Sequence, residues 1–169
     1  MLVLLACCLA GLVGCGKRTV QNTIFQGKEY VLIFPDSWEV HSNWMGADLA
    51  GLSPQEDPTD EFRESLNVVL ENLPALMTDE EYVERSLDVL RNGLLVPAST
   101  SFTRTRVGNR DGYHVHYQAS IKDRLMDNDA YIVINGGAAY VITCSSEVGT
   151  RDGFKPTMDA IIATFAIKE

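Results

Sequence analysis

Two short glycine-containing turns, each set between strand-like segments, limit the folds open to this chain more than any other sequence feature. The first turn is Gly108–Gly112 and the second is Gly136–Gly137. The flanking segments are rich in β-branched and aromatic residues: Phe102–Val107, Tyr113–Ile121, Tyr131–Asn135 and Ala139–Ser145. Because short glycine turns join adjacent antiparallel strands, the sequence predicts two β-hairpins in an antiparallel sheet.

Two helices are predicted, one before the hairpins and one after them. The first runs from Thr78 to Gly93, where Thr78 is a good N-cap and Glu81 completes a capping box. Its apolar stripe is formed by Tyr82, Val83, Leu87 and Leu90. The second runs from about Lys155 to Thr164. The 169 residues fit one domain, so we expect a single α+β domain with helices packed on an antiparallel sheet.

The first 16 residues carry no charge and are mostly apolar. Such a run is shorter than the roughly 20 residues that span a bilayer as a helix, but it suits the apolar region of a secretory signal. It ends in Leu12-Val13-Gly14-Cys15, which resembles the lipobox of bacterial lipoprotein precursors. The resemblance implies cleavage after Gly14, and acyl chains on the Cys15 thiol and its new amine. A plain signal anchor is the alternative, because no Lys or Arg precedes the apolar run; a start upstream of Met1 would supply one.

These observations divide the chain into three parts. Residues 1–14 are the expected signal peptide, 15–28 the lipidated cysteine and a polar tether, and 29–169 the folded domain. Two of the four cysteines, Cys7 and Cys8, leave with the signal, and Cys144 is expected to be a buried small residue of a strand. The domain therefore has no partner for a disulfide. Its net charge of −9 argues against nucleic-acid binding, which needs a basic surface.

The segment His114-Val115-His116 carries the most suggestive side chains. Residues two apart in a strand point to the same face, so both imidazoles project together. If the hairpin loop pairs positions of like parity, Arg104 and Arg106 lie beside them and form a basic patch for an anion or a protein partner. The alternatives are a solvated sheet face and a metal site, for which His114 and His116 are weak candidates, since a third ligand is missing. We predict no metal. A register shift of one residue would send both arginines to the other face.

The sequence contains no motif that points to catalysis. A nucleophile elbow, a P-loop, an H-E-x-x-H motif and a C-x-x-C motif are all missing. We therefore predict no catalytic residue and no cofactor, and expect that the protein is not an enzyme. The acidic residues Asp123, Asp127 and Asp129 are expected to lie in a solvated turn.

Several segments from about Glu29 to the end resemble the PsbP-like family, which includes bacterial lipoproteins of the DcrB type. They are Tyr30–Trp38, Asn67–Val69, Thr78–Tyr82, Gly112–Tyr113, Gly136–Thr143 and Ile161–Phe165. The resemblance implies an α/β/α sandwich around an antiparallel sheet and a non-enzymatic accessory role. It brings no active site with it.

The expected function is that of a membrane-anchored accessory or binding lipoprotein of the bacterial envelope, which docks to a protein partner. We expect it on the periplasmic or extracytoplasmic side, anchored through lipid on Cys15. The outer membrane is favoured if the host has two membranes, because Gly16 follows the cysteine. The alternative is a periplasmic module that binds a small ligand or a metal.

Overall fold

The computed structural model describes residues 22–27, 29–94, 97, 100–121 and 124–168. Ten strands and two helices follow one another along these residues: β1 Asn22–Gln26, β2 Tyr30–Pro35, β3 Glu39–Trp44, β4 Ala47–Leu52, β5 Ser65–Asn72, α1 Asp79–Gly93, β6 Thr103–Val107, β7 Arg110–Ile121, β8 Arg124–Asn135, β9 Ala138–Glu147, α2 Arg151–Ala163 and β10 Ala166–Ile167. The signal peptide and Cys15 lie outside the described residues.

The strands form two antiparallel sheets. The larger has seven strands in the order β3-β4-β5-β9-β8-β7-β6, and the smaller has three in the order β1-β2-β10. Four consecutive strands, β6 to β9, pair with their sequence neighbours. Both predicted hairpins are therefore present, as short glycine turns require.

The seven-stranded sheet has a different helix on each face. On one face, which we call the α1 face, Tyr82 and Val83 of α1 pack with Ile132 and Val141 of the sheet. On the other, the α2 face, α2 and the smaller sheet share the main apolar core with residues such as Ile142. This arrangement confirms the predicted α+β domain, with helices on both sides of an antiparallel sheet.

Helix α1 begins as its local sequence predicts. The Thr78 hydroxyl accepts from the Glu81 backbone N–H at 3.2 Å, and the Glu81 carboxylate accepts from the Thr78 backbone N–H at 2.9 Å. This reciprocal pair satisfies two of the N–H groups that a helix leaves open at its start. Helix α2 has no side-chain cap hydrogen bond at Thr150.

The predicted polar tether is wrong for part of its length. Asn22–Gln26 is strand β1, which pairs with β2 from Asn22 opposite Pro35 to Gln26 opposite Val31. The sequence reads as polar because β1 is an edge strand with only Phe25 packed against the core. The fold therefore includes Asn22–Gln26, which lies before the predicted domain boundary at residue 29.

Candidate functional site

Strands β7 and β8 bring two histidines and two aspartates together on the α2 face. In their register His116 lies opposite Asp129, and Gln118 lies opposite Asp127. Directly opposed residues share a face of an antiparallel pair, so these side chains all point toward α2. Each histidine contacts the aspartate diagonal to it rather than the residue directly opposite. We call His114–Asp129 the inner pair and His116–Asp127 the outer pair.

The inner pair joins His114 to Asp129 and is tied to α2. His114 Nε2 lies 2.7 Å from Asp129 Oδ1. Arg151, the first residue of α2, donates from Nε to Asp129 Oδ2 at 2.8 Å and from Nη2 to Oδ1 at 2.9 Å. The His114 ring also packs on Tyr131, with 4.6 Å between ring centroids. A bidentate arginine and a histidine thus converge on one carboxylate. Such charge-assisted hydrogen bonds are strong and fix the orientation of the carboxylate.

The environment of Asp129 favours its ionised form. Burial by itself would raise the pKa of the Asp129 carboxyl, but hydrogen bonds from His114 and Arg151 oppose that effect, and so does the Arg151 charge. Together they hold the pKa well below its usual range. Asp129 is therefore a carboxylate that fixes the start of α2 against the sheet.

The outer pair joins His116 to Asp127 and has no partner from α2. His116 Nε2 lies 3.1 Å from Asp127 Oδ1, and Gln118 donates to the same oxygen at 2.9 Å. The side chain of His116 is 40% exposed, against 24% for His114. His116 is thus closer to solvent than His114, whereas Asp127 is as buried as Asp129, and Gln118 takes the place that Arg151 has in the inner pair.

The predicted register of the β6–β7 hairpin is wrong, and the predicted basic patch is split between two faces. Arg104 lies opposite Tyr113 and Arg106 lies opposite Asp111, so both arginines point to the α1 face. Arg104 donates to Glu80 of α1 at 2.9 Å, and Arg106 donates to Asp111 at 2.8 Å. His114 and His116 remain on the α2 face.

The physical reason is the length of the hairpin loop. Val107 pairs with Arg110, so the loop has two residues, Gly108 and Asn109, and it pairs positions of unlike parity. Gly108 has a φ of +57°, and a Cβ built on it would lie 1.8 Å from the carbonyl oxygen of Phe165. Only glycine fits this left-handed position against the backbone of Phe165, just before β10, and this explains where the chain turns.

A groove of about 370 Å³ lies between α2 and the β6–β7 hairpin. Its floor includes His114 and Tyr131. The other lining residues are Thr105, Arg106 and Gly108 of the hairpin and Lys155, Asp159, Ile162 and Ala163 of α2. Its volume is in the range of small-molecule sites. Of the predicted patch, His114 lines the groove from the α2 face, and Arg106 borders it as part of strand β6, at the edge of the sheet.

Several other predictions concern single groups. Cys144 is a free, buried cysteine as predicted, and burial raises the pKa of its thiol. Within the described ranges, no three His, Cys, Asp or Glu residues are grouped so that they could hold a metal ion. His114 and His116 are each engaged by a different aspartate. None of the helices in the described part of the chain has both the length and the apolar character needed to cross a membrane.

Three residues of this site were not identified from the sequence: Asp127, Asp129 and Arg151. The two aspartates were predicted to lie in a solvated turn, whereas they belong to the 12-residue strand β8. A signal existed, because the nine-residue predicted strand Tyr113–Ile121 needs a partner of similar length and Tyr131–Asn135 offers only five. Arg151 carries no sequence signal, since its role depends on where α2 docks.

No protein-family model matches the chain, and no curated protein sequence matches it significantly. Solved structures do match. The cyanobacterial PsbP protein CyanoP from Synechocystis is 17% identical, with a TM-score of 0.61 over 95% of this chain and 99% of that one. LpqN of Mycobacterium tuberculosis, described as involved in cell envelope biogenesis, is 15% identical, with a TM-score of 0.62 over 90% of this chain and 93% of that one.

The same fold also occurs in a protein of another kind. The Ran-binding protein Mog1p of Saccharomyces cerevisiae is 9% identical, with a TM-score of 0.54 over 88% of this chain and 96% of that one. At such identities the likeness concerns the fold, since one fold serves unrelated functions. The resemblance seen in the sequence is thus confirmed at the level of architecture: this chain has a PsbP-like fold.

Proposed function

We propose that this chain is a membrane-anchored, non-enzymatic accessory lipoprotein of the bacterial cell envelope, which acts by docking to a protein partner. The similarity to CyanoP and to the envelope protein LpqN supports this class of function. The His–Asp pairs are consistent with it, because their carboxylates are occupied by arginine, glutamine and histidine side chains of the same chain. The inner pair serves to position α2 on the sheet.

The observation that carries the proposal is the distance along the chain between Cys15 and the folded domain. From Cys15 to Asn22, the first residue of β1, there are seven residue steps. A fully extended chain of that length spans at most about 25 Å. A lipid on Cys15 would therefore hold the domain close to the bilayer surface, within reach of membrane proteins and of little else.

The anchor is tested by Cys15→Ala in the full chain. We expect the wild-type protein to sediment with membranes and the variant to become extractable without detergent, since several acyl chains are needed for stable anchoring. Cys144→Ala is the matched control, because it removes a thiol from the domain and leaves the lipobox intact. Sedimentation of the Cys15→Ala protein with membranes would contradict the anchor.

Docking is tested by crosslinking in intact cells that express the wild-type or the Cys15→Ala chain at equal levels. We expect a defined adduct that depends on Cys15, because the anchor raises the local concentration of a membrane partner. Equal adducts from both chains would show that docking does not need the membrane. Complete absence of adducts would count against the docking function.

A second candidate function, binding of a small ligand, is favoured by the groove between α2 and the β6–β7 hairpin. Its volume of about 370 Å³ and its mixed lining of Tyr131, Ile162 and Lys155 are compatible with a small organic molecule. A ligand there should raise the melting temperature of the wild-type protein but not that of Ala163→Trp, which fills the groove. A stabilising ligand with equal effect on both proteins would place the binding elsewhere.

A further inference from the structure

The outer edge of β6 is the free end of the seven-stranded sheet, and it borders the groove beside α2. No strand of the described chain pairs with this edge. An edge strand presents a row of N–H and C=O groups that can pair with another chain. Because Val107 and Arg110 close a two-residue loop as a hydrogen-bonded pair, the backbone groups of Arg104 and Arg106 alternate away from β7 and face outward.

The edge at the opposite end of this sheet is less suited to pairing. It is formed by β3, where Asn43 has a φ of +50°, outside the extended region. A residue in that conformation interrupts the regular spacing of backbone groups that an added strand needs. β6 shows no positive φ over Thr103–Val107. The regular open edge of the large sheet is therefore β6.

The side chains beside this edge select the chemistry of an added strand. On the α1 face, Arg104 and Arg106 are 75% and 62% exposed, two residues apart. Opposite charges on neighbouring strands stabilise pairing, and like charges oppose it. The present partners of the two arginines, Glu80 and Asp111, are themselves exposed, so these ion pairs are weak and a partner's carboxylates can compete with them.

On the α2 face the same edge opens into the groove. Ile162 and Ala163 supply apolar surface there, with Tyr131 on the floor, and the charged side chains Lys155 and Asp159 also line it. Successive side chains of a strand point to opposite faces. A strand added to β6 would therefore present every second side chain to the arginines and the others to the groove.

We propose that β6 accepts an extended segment of a partner protein, with alternating acidic and apolar residues, as an eighth strand of the sheet. The acidic residues meet Arg104 and Arg106, and the apolar residues lean into the groove beside α2. The backbone hydrogen bonds supply affinity, and the two sets of side chains supply specificity. This inference rests on the proposed docking function and names the surface and the kind of segment that it uses.

The test uses the full chain in detergent and an eight-residue peptide that alternates glutamate and valine. Hydrogen–deuterium exchange should slow in residues 103–107 when the peptide is added, and exchange in β3 should stay unchanged. A peptide that alternates lysine and valine should give no protection. A peptide with four glutamates followed by four valines should give none either, because it cannot place its acids on one face.

Two variants and one control locate the contact. Arg104→Glu should weaken binding of the glutamate–valine peptide at least tenfold and improve binding of the lysine–valine peptide, a reversal that misfolding would not produce. Arg85→Glu, at an exposed position of α1, makes the same charge change outside β6 and should leave both affinities unchanged. Ala163→Phe should weaken binding by filling the groove.

Several results would overturn the proposal. They are absence of protection at 103–107 with every peptide, equal binding of the acidic and basic peptides, and equal effects of Arg104→Glu and Arg85→Glu. Protection of 103–107 in the chain alone, together with a dimeric mass, would assign the edge to a second copy. If Cys15-dependent crosslinking persists in Arg104→Glu, the docking function stands and the edge proposal fails.

Discussion

The inner and outer His–Asp pairs have the same chemistry but different surroundings. Both join β7 to β8 on the α2 face, at 2.7 Å for His114–Asp129 and 3.1 Å for His116–Asp127. Only the inner pair lies beneath the start of α2, where Arg151 adds two hydrogen bonds. The difference shows that a pair of side chains on a sheet acquires a structural role from the element that covers it.

The largest effect is expected from Asp129→Ala, which removes the shared acceptor of the inner pair. Arg151 and His114 then lose their partner in a site where the Asp129 side chain is only 11% exposed. Breaking such a buried pair costs about 3 kcal/mol of unfolding free energy. Urea unfolding followed by circular dichroism measures this loss. A loss no greater than that of Asp127→Ala would remove the distinction between the two pairs.

A fall in pH tests the role of the inner pair separately, because the pKa of Asp129 is lowered in the folded protein. A carboxyl with a lowered folded pKa contributes stability above its unfolded pKa, about 3.9. That contribution is lost as the pH falls toward the folded pKa. Between pH 4 and pH 2 the wild-type protein should lose about 1–2 kcal/mol more than Asp129→Asn, measured by urea midpoints at each pH. Parallel curves for the two proteins would contradict this assignment.

Asp127→Ala should have a smaller effect, about 1 kcal/mol of unfolding free energy, because it removes hydrogen bonds from His116 and Gln118 and leaves no arginine unpaired. Asp127→Asn should recover most of this loss, since an amide oxygen still accepts from Gln118. The measurement is again urea unfolding. A loss that equals that of Asp129→Ala would show that α2 docking does not set the energetics.

The smallest effect is expected from His116→Gln, within about 0.5 kcal/mol, because exposed polar substitutions change stability little. His114→Gln should cost more, since His114 also packs on Tyr131. Thermal unfolding of both variants, side by side, ranks them. The reverse order would mean that exposure does not separate the two pairs.

How far the sequence predicts this fold depends on the range of the interactions involved. Helix α1 was predicted within a residue of its start, because Thr78 and Glu81 form the cap among themselves. The β6–β7 hairpin was predicted, but its register was not, since a loop with an odd number of residues, which pairs positions of like parity, fits the same glycine-containing segment as the observed loop of two. The contact of Gly108 with Phe165, 57 residues away, decides between them.

The site also depends on contacts between separate elements. The sequence placed His114 and His116 on one face but set the wrong residues beside them. Asp127 and Asp129 resemble turn residues until the length of β7 requires a strand opposite them. Strand β1 was missed because a five-residue polar edge strand looks like a tether until β2 is beside it.

By itself the sequence determined the features that rest on local chemistry. These are the cap of α1, the alternation of the core strands, the glycine turns, and the apolar start that ends in Cys15. Only the tertiary structure decided that Arg151 meets Asp129, that the arginines of β6 leave the histidine face, and that a groove lies beside an open edge. The physical reason is that register and helix docking are set by contacts between residues far apart in the chain. A hydrophobic pattern determines on which face of the sheet a residue lies, but not which residue of the next strand lies beside it.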